Sequence, residues 1–426
     1  MSKTPVKKKT VKKAVAEKTP EKKEPRVLSQ EVACDDGISR IGILTLNSAR
    51  TMNAVDLEMI NLIDDILARW QKDDRIVAIV MHGAGDKAFC AGGDIRQLYN
   101  SIISAQQATT TEDCEQEVPY QYADAFFTAE YSKNYRVHLL GKPLIAWGNG
   151  FVMGGGLGLF IGANHKVGTE TLKLAWPEIN IGLFPDVAGS YYLSRLPYPL
   201  GHWMGLSGSQ MNAVDCKQAG LINYCLPNKD LATLISELCQ QPWQTNKAMN
   251  NQYVRQLLKQ IETRAELATE VEEKVEFPQS NLALSLDTIK QVFDGITSEE
   301  NMSLSDNKEA LKLILERMKT IESDSEWFNK GRNNFLAGCP ATAHLVMQQL
   351  EFGCNMTLKE VAKWELMIAM QSVRHPDFAE GVRAMVVDKD FSPQWQHESV
   401  ADVPEKWVKE FFQPLWGVGE HPFKDL

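Results

Sequence analysis

Apolar residues first gather in "RIGILTLN" (Arg40–Asn47), an unbroken run that reads as a buried strand. The period then changes. In "AVDLEMINLIDDILARWQKD", Leu57, Ile60, Ile63, Ile66, Leu67 and Trp70 recur at helical spacing, which predicts a helix with one apolar face. "RIVAIVMHG" (Arg75–Gly83) and "KPLIAWGNG" (Lys142–Gly150) are two further apolar runs ending at glycine. "HKVGT" (His165–Thr169) and "KLAW" (Lys173–Trp176) are shorter strand candidates. Strands alternating with helices predict an α/β architecture with parallel strands. Between them, Ser101–Val118 is polar and reads as a loop.

Past about residue 230 the strand pattern fades. "NKEALKLILERMKTI" puts Leu311, Ile314, Leu315, Met318 and Ile321 on one helical face. "TLKEVAKWELMIAMQSV" opens with Thr357 and Glu360 in capping-box register. Leu358, Val361, Trp364 and Ile368 follow at helical spacing, and Glu365 puts one acid on that face. This half should be mostly helical. The Gln-, Asn- and Glu-rich stretch 240–300 gives no clear element. Three parts result: a tail at 1–36, a catalytic core at 37–230 with order beginning near Gly37, and a helical region at 231–426 that completes or covers the site.

The chain of 426 residues is 44% hydrophobic and 23% charged, ordinary values for a globular protein of one large domain or two to three smaller ones. No apolar run is long enough to span a bilayer, and the N-terminus has no apolar core of a secretory signal. Eight cysteines are scattered without a Cys-x-x-Cys pair. That implies reduced thiols in a cytosol-like compartment, the cytoplasm or, in a eukaryote, the mitochondrial matrix. His165, His202, His344 and His375 lack metal-ligand spacing, so no metal is expected.

Charge is uneven. Residues 1–26 hold ten basic and three acidic residues, +7 in a chain of −10, which leaves −17 on the remainder. A Lys/Thr/Pro/Glu composition predicts disorder. Such a tail is either an arm for RNA or an anionic surface, or a solvated solubility tail. The acidic body opposes polyanions and favours the second, so neither a nucleic-acid nor a membrane partner is expected.

Two segments share a design that carries chemistry. "KAFCAGGDI" (Lys87–Ile95) and "GNGFVMGGGLGLFIGA" each take a strand through glycines into helix-like sequence. Backbone N–H groups at such turns lack acceptors, and glycine lets a ligand approach. One such turn is ordinary punctuation. Two could aim two N–H groups at one oxygen and form an oxyanion hole. Neither matches a phosphate loop or a dinucleotide fingerprint. Downstream, Glu178 follows Pro177 and Asp186 follows Pro185, with Gly182 between them. Each acid alone is an ordinary turn residue. The surrounding Trp176, Ile181, Leu183, Phe184 and Val187 would make a low-dielectric wall, of the kind that can raise a carboxyl pKa and suit it to acid–base work.

"KAFCAGGDI", "GNGFVMGGG" and "PEINIGLFPDVAGSYYLSRLP" together resemble the crotonase (enoyl-CoA hydratase/isomerase) superfamily, and within it the 3-hydroxyisobutyryl-CoA hydrolase branch. The resemblance runs from about Arg40 to Trp395. It implies a crotonase-like ββα spiral core with an extended α-helical C-terminal part. It also implies an acyl-CoA substrate, with CoA part of that substrate and no separate cofactor. Oxyanion amides are implied at Gly93 and Gly155, catalytic carboxylates at Glu178 and Asp186, and a substrate-side glutamate at Glu130 in "FFTAEYSKN". Asn53 and Ala54 resemble the turn lining the CoA channel. Lys389 falls near a basic position that in relatives helps hold the CoA nucleotide, although Asp390 follows it. Hydratases of the superfamily carry a second glutamate at the position of Gly158. Its absence, with the added Asp186, points to hydrolysis of a short 3-hydroxyacyl-CoA, 3-hydroxyisobutyryl-CoA of valine breakdown first. A hydratase or isomerase of the same superfamily is the alternative, and a non-catalytic binder of RNA or an anionic surface through the tail is a further one. Relatives are often trimeric, so a homo-oligomer is possible.

Overall fold

The computed structural model describes residues 25–108, 120–268, 274–296 and 303–426. β1 (Val27–Ala33) and β2 (Arg40–Leu46) form an antiparallel hairpin. α1 (Leu57–Lys72) follows, and the Asp56 carboxylate caps it by accepting from the Met59 N–H at 2.9 Å. A three-part unit then repeats. β3 (Ile76–Gly83) joins a large sheet, β4 (Ala88–Cys90) joins a small one, and the chain enters α2 (Ile95–Ala108). After α3 (Gln121–His138), β5 (Leu144–Gly148), β6 (Phe151–Met153) and α4 (Gly154–Ile161) repeat it. β7 (His165–Gly168) and β8 (Lys173–Ala175) begin a third unit, which ends in a 3-10 turn at Glu178–Ile181 and the short helix α5 (Gly189–Leu193). α6 (Leu200–Ser207) and α7 (Ala213–Gln218) lead to β9 (Tyr224–Cys225).

The large sheet has the order β1-β2-β3-β5-β7-β9 and the small one β4-β6-β8. Every strand pairing after the first hairpin is parallel. The result is the expected ββα spiral. β3 up to Met81 and all of β5 are apolar because both faces are covered. Ile79, Met81, Leu144 and Ala146 join the core under α1, α3 and α4. Ala78, Val80, Ile145 and Trp147 join a second core under α8 (Leu231–Cys239) and α9 (Lys247–Leu267).

The rest is helical: α10 (Asn281–Phe293), α11 (Leu304–Thr320), α12 (Glu326–Ala337), α13 (Pro340–Gly353), α14 (Leu358–Ser372), α15 (Pro376–Val382) and α16 (Glu405–Glu410). A π-helical turn at Arg383–Val387 extends α15. The expected capping box of Thr357 and Glu360 opens α14. Phe328, Val346, Leu366 and Phe378 pack in the same core as Leu159 and Trp176, so packing does not break at residue 230. Among the described residues no helix is long and apolar enough to cross a membrane.

Three expectations are corrected. Order does not begin near Gly37, and the tail does not extend to residue 36. β1 starts at Val27, where it pairs with Leu46, and Glu31 accepts from the Trp70 indole N–H and from Arg40, both at 3.0 Å. The remainder of the expected tail, residues 1–24, lies outside the described residues. Ser101–Ala108 is helix rather than loop, because Leu98, Ile102 and Ala105 bury a sparse stripe hidden in polar sequence; residues 109–118 lie outside the described residues. The featureless 240–300 stretch contains α9 and α10. In α9, Val254, Leu257, Leu258 and Ile261 form a narrow buried stripe diluted by a wide polar face.

Candidate active site

The three spiral units bring their small-sheet strands side by side and parallel, so the carboxyl ends share one edge, where ligands of parallel sheets bind. β4 ends at Cys90 and delivers Gly93, β6 ends at Met153 and delivers Gly155, and β8 ends at Ala175 and delivers Glu178. These residues line a cavity of about 240 Å³ together with Glu130 and Asp186. Phe126 and Phe127 of α3 and Phe378 of α15 supply apolar wall.

Gly93 and Gly155 lie side by side at this cavity. Val55 brackets Gly93: its N–H donates to the Gly92 carbonyl at 2.9 Å, and its carbonyl accepts from the Asp94 N–H at 2.7 Å. The Gly93 N–H itself finds no protein acceptor among the described residues. Gly155 is the second residue of α4, where N–H groups have no intrahelical partner and the helix dipole is positive. A Cβ on Gly155 would lie 3.4 Å from the Gly93 nitrogen and collide with Glu130 Oε1. Any side chain there would have to displace the Glu130 carboxyl, so Gly155, the Gly93 nitrogen and Glu130 crowd one small space.

Glu178 opens the 3-10 turn and is 3% exposed, and its Oε2 has no hydrogen-bond partner among the described residues. Burial pushes its pKa up to about 8; its own backbone N–H opposes the rise, and Glu365 and Glu130 add to it. Gly182 ends that turn at φ +68° against the Asp377 carbonyl, which seats α15 beside the site. Asp186 is buried, and its Oδ2 accepts from the Tyr131 hydroxyl at 2.8 Å. Burial and the charges of Glu178 and Glu130 hold its carboxyl well above the usual range, against the hydrogen bond from Tyr131. Glu130 is raised to about 7 by burial, opposed by Lys133, whose buried ammonium has no hydrogen-bond partner among the described residues.

Five of the eight residues singled out from sequence thus meet in one cavity. Asn53, Ala54 and Lys389 do not line it. The Asn53 side chain is consumed by backbone: Oδ1 accepts from the Ser48 N–H at 2.9 Å, and Nδ2 donates to the Ala88 and Ala84 carbonyls at 2.8 and 3.0 Å. It knots the turn that presents Val55 to Gly93. Ala54 is half-buried and donates its N–H to the Thr51 carbonyl at 3.1 Å. Lys389 is exposed at φ +57°, beside an Arg383 that bridges Glu380, Asp388 and Asp390. Sequence reasoning passed over Tyr131, although it adjoins Glu130. It noted Glu365 only as an acid on an apolar face, which was the available signal.

Gly158 is closed to a side chain. A Cβ there would collide with the Asn134 amide and lie 2.8 Å from Val187 Cβ. Asn134 of α3 and Val187 thus occupy the space beside Gly158.

A fold of ββα units around paired glycine turns and buried acids is that of the enoyl-CoA hydratase/isomerase family, whose pattern matches residues 41–412, and the chain belongs to this family. Among curated proteins it is 31% identical over 378 residues to the mitochondrial 3-hydroxyisobutyryl-CoA hydrolase of Homo sapiens, covering 88% of this chain and 86% of that one. It is 30% identical to the protein of the same name from Dictyostelium discoideum, covering 87% and 88%. Among solved structures, an enoyl-CoA hydratase from Rhodobacter sphaeroides superposes with a TM-score of 0.70 at 26% identity, over 92% of this chain and 98% of that one.

Proposed function

We propose that this enzyme hydrolyses the thioester of a short 3-hydroxyacyl-CoA, with 3-hydroxyisobutyryl-CoA, the substrate in its relatives' names, as first candidate. The observation that carries this reading is the convergence of Glu178 and Asp186 on the cavity bounded by Gly93 and Gly155, with Gly158 closed to a second α4 glutamate. Hydration of a C=C bond in this superfamily uses a carboxylate at that closed position.

The thioester carbonyl would sit against the two amides, which stabilise the negative oxygen of the tetrahedral intermediate; one such donor contributes roughly 2.7–4 kcal/mol in other enzymes. Glu178 drives the attack. As a base it removes a proton from water, whose oxygen bonds to the carbonyl carbon. As a nucleophile it forms an acyl-carboxyl anhydride that water then opens. Either way the C–S bond breaks, a proton reaches the CoA sulfur, and a carboxylic acid and free CoA leave. Asp186, held by Tyr131, orients the water or the substrate hydroxyl. Glu130 borders the acyl space. Repeated turnover in ¹⁸O-labelled water tests the nucleophilic route: label appearing in the Glu178 carboxylate marks it. Asn53 supports the glycine turn from behind, and Lys389 is free to meet the distal part of CoA. Free cysteines among the described residues and the mitochondrial relatives fit a reducing compartment, cytoplasm or matrix.

The test is CoA release from a panel of acyl-CoA thioesters, followed by thiol trapping. Release from 3-hydroxyisobutyryl-CoA that disappears in Glu178→Gln is expected. No release from any small 3-hydroxyacyl-CoA, or full activity in Glu178→Gln, would sink the reading. Hydration of crotonyl-CoA or isomerisation of a 3-enoyl-CoA in its place would establish the alternative.

A further inference from the structure

The backbone beside Asp186 is unusual. Val187 and Ala188, the next two residues, both take positive φ, 52° and 71°, a region that side chains other than glycine avoid. Such backbone persists only where its surroundings hold it. Here the restraints come from far along the chain. Glu365 of α14 is 1% exposed; its Oε2 accepts from the Ala188 N–H at 2.7 Å and its Oε1 from the Ser190 N–H at 2.9 Å. Gln349 of α13 donates from Nε2 to the Pro185 carbonyl at 2.6 Å and to Ser190 Oγ at 2.8 Å. The residues on either side of Asp186 are therefore tied to C-terminal helices, while Tyr131 of α3 holds its carboxylate.

We propose that Glu365 is a positioning residue for Asp186, through which the C-terminal helices take part in thioester hydrolysis; this rests on the catalytic reading of Asp186 above. A carboxylate is a costly way to satisfy two backbone donors in a core, and its charge has a second effect. Glu365, Tyr131, Val187 and Ala188 line one cavity of about 20 Å³, room for one water, with no Lys or Arg in its wall. The titratable groups that line it with Glu365 are Tyr131, Tyr135 and His138 of α3. Tyr192 of α5 stacks on His138, Gln349 of α13 is uncharged, and the charges that reach Glu178 and Asp186 besides that of Glu365 include Glu130. In so dry a setting the charge of Glu365 adds to the rise of both Glu178 and Asp186. Removing that charge lowers both, and a part that was only structural would leave them unmoved.

The experiment compares wild type, Asp186→Asn, Glu365→Gln and Gln349→Met across pH 5–9 with 3-hydroxyisobutyryl-CoA, and measures amide hydrogen exchange at residues 187–190. In Glu365→Gln, kcat should fall about tenfold or more while KM stays within about threefold, the acid limb of the kcat profile should move to lower pH, and exchange should quicken at Ala188 and Ser190. Gln349→Met should lower kcat without moving the limb. Wild-type rates in Asp186→Asn overturn both the catalytic reading and this inference. Loss in Asp186→Asn with wild-type kcat, or an unmoved acid limb, in Glu365→Gln overturns this inference alone. Should Glu365→Gln fail to fold, unchanged kcat and exchange in Gln349→Met overturn it. Should wild type release no CoA, the catalytic reading falls, and unaltered exchange in Glu365→Gln removes the claim that Glu365 holds the loop.

Discussion

Glu178 shows how one residue couples chemistry to stability. Its carboxyl titrates near 4.5 in an unfolded chain and near 8 in the fold, so between those values the native state binds the extra proton. Stability is full below about 4.5 and is lost as pH rises through about 8. Glu130 and Glu365, each raised to about 7, and Asp186 act in the same direction. The melting temperature should therefore fall as pH goes from 5 to 8.5, and Glu178→Gln should flatten that fall in a calorimetric pH series. Activity runs the opposite way, because attack needs the Glu178 carboxylate: kcat should climb toward pH 8, where the variant should lose about 10²–10⁴-fold, and the loss should shrink toward acid pH. Gly158→Glu tests the reading of the closed position. Because its Cβ meets Asn134 and Val187, the substitution should lower the melting temperature and yield no crotonyl-CoA hydration; a stable variant that hydrates would contradict the account.

Elements were legible where their periodicity was strong. β2, β3 and β5 are continuous apolar runs because both sheet faces are covered, and α1 shows a full apolar stripe. β1 was not legible, because its burial pattern is mostly exposed and what holds it is the ladder to β2. α2 and α9 were not, because their buried stripes are narrow within polar sequence. The corrected boundary has a direct test. Compared with a chain beginning at residue 25, one beginning at residue 37 lacks β1 and its Glu31 contacts to Trp70 and Arg40 and should melt several degrees lower. Equal melting curves for the two truncations would place β1 outside the cooperative unit. At α14, Thr357→Ala removes one half of the capping box and should cost about 1 kcal/mol in denaturant unfolding.

Across the whole molecule, the C-terminal helices are part of the site's construction. α15 contributes cavity wall, and α13 and α14 hold the loop around Asp186. One chain therefore supplies every group placed in the site here, whatever its assembly. Specific activity should stay constant on dilution through any change in oligomeric state followed by light scattering, and a fall that tracks dissociation would show that a second copy is needed.

The sequence by itself determined the repeated strand–turn–helix unit, both glycine turns, the two proline-flanked acids and the helical second half, since each is written in local periodicity or in residues with special backbone or charge properties. Only the tertiary structure decided that Gly93, Gly155, Glu130, Glu178 and Asp186 share one cavity, that Asn53 serves the backbone, and that Gly158 has no room for a side chain. It also decided that Glu365, 179 positions beyond Asp186, holds the aspartate's loop. The reason is physical: the parallel spiral stacks residues from successive turns at one edge, and burial then sets their charge states. Neither relation leaves a mark at fixed spacing along the chain.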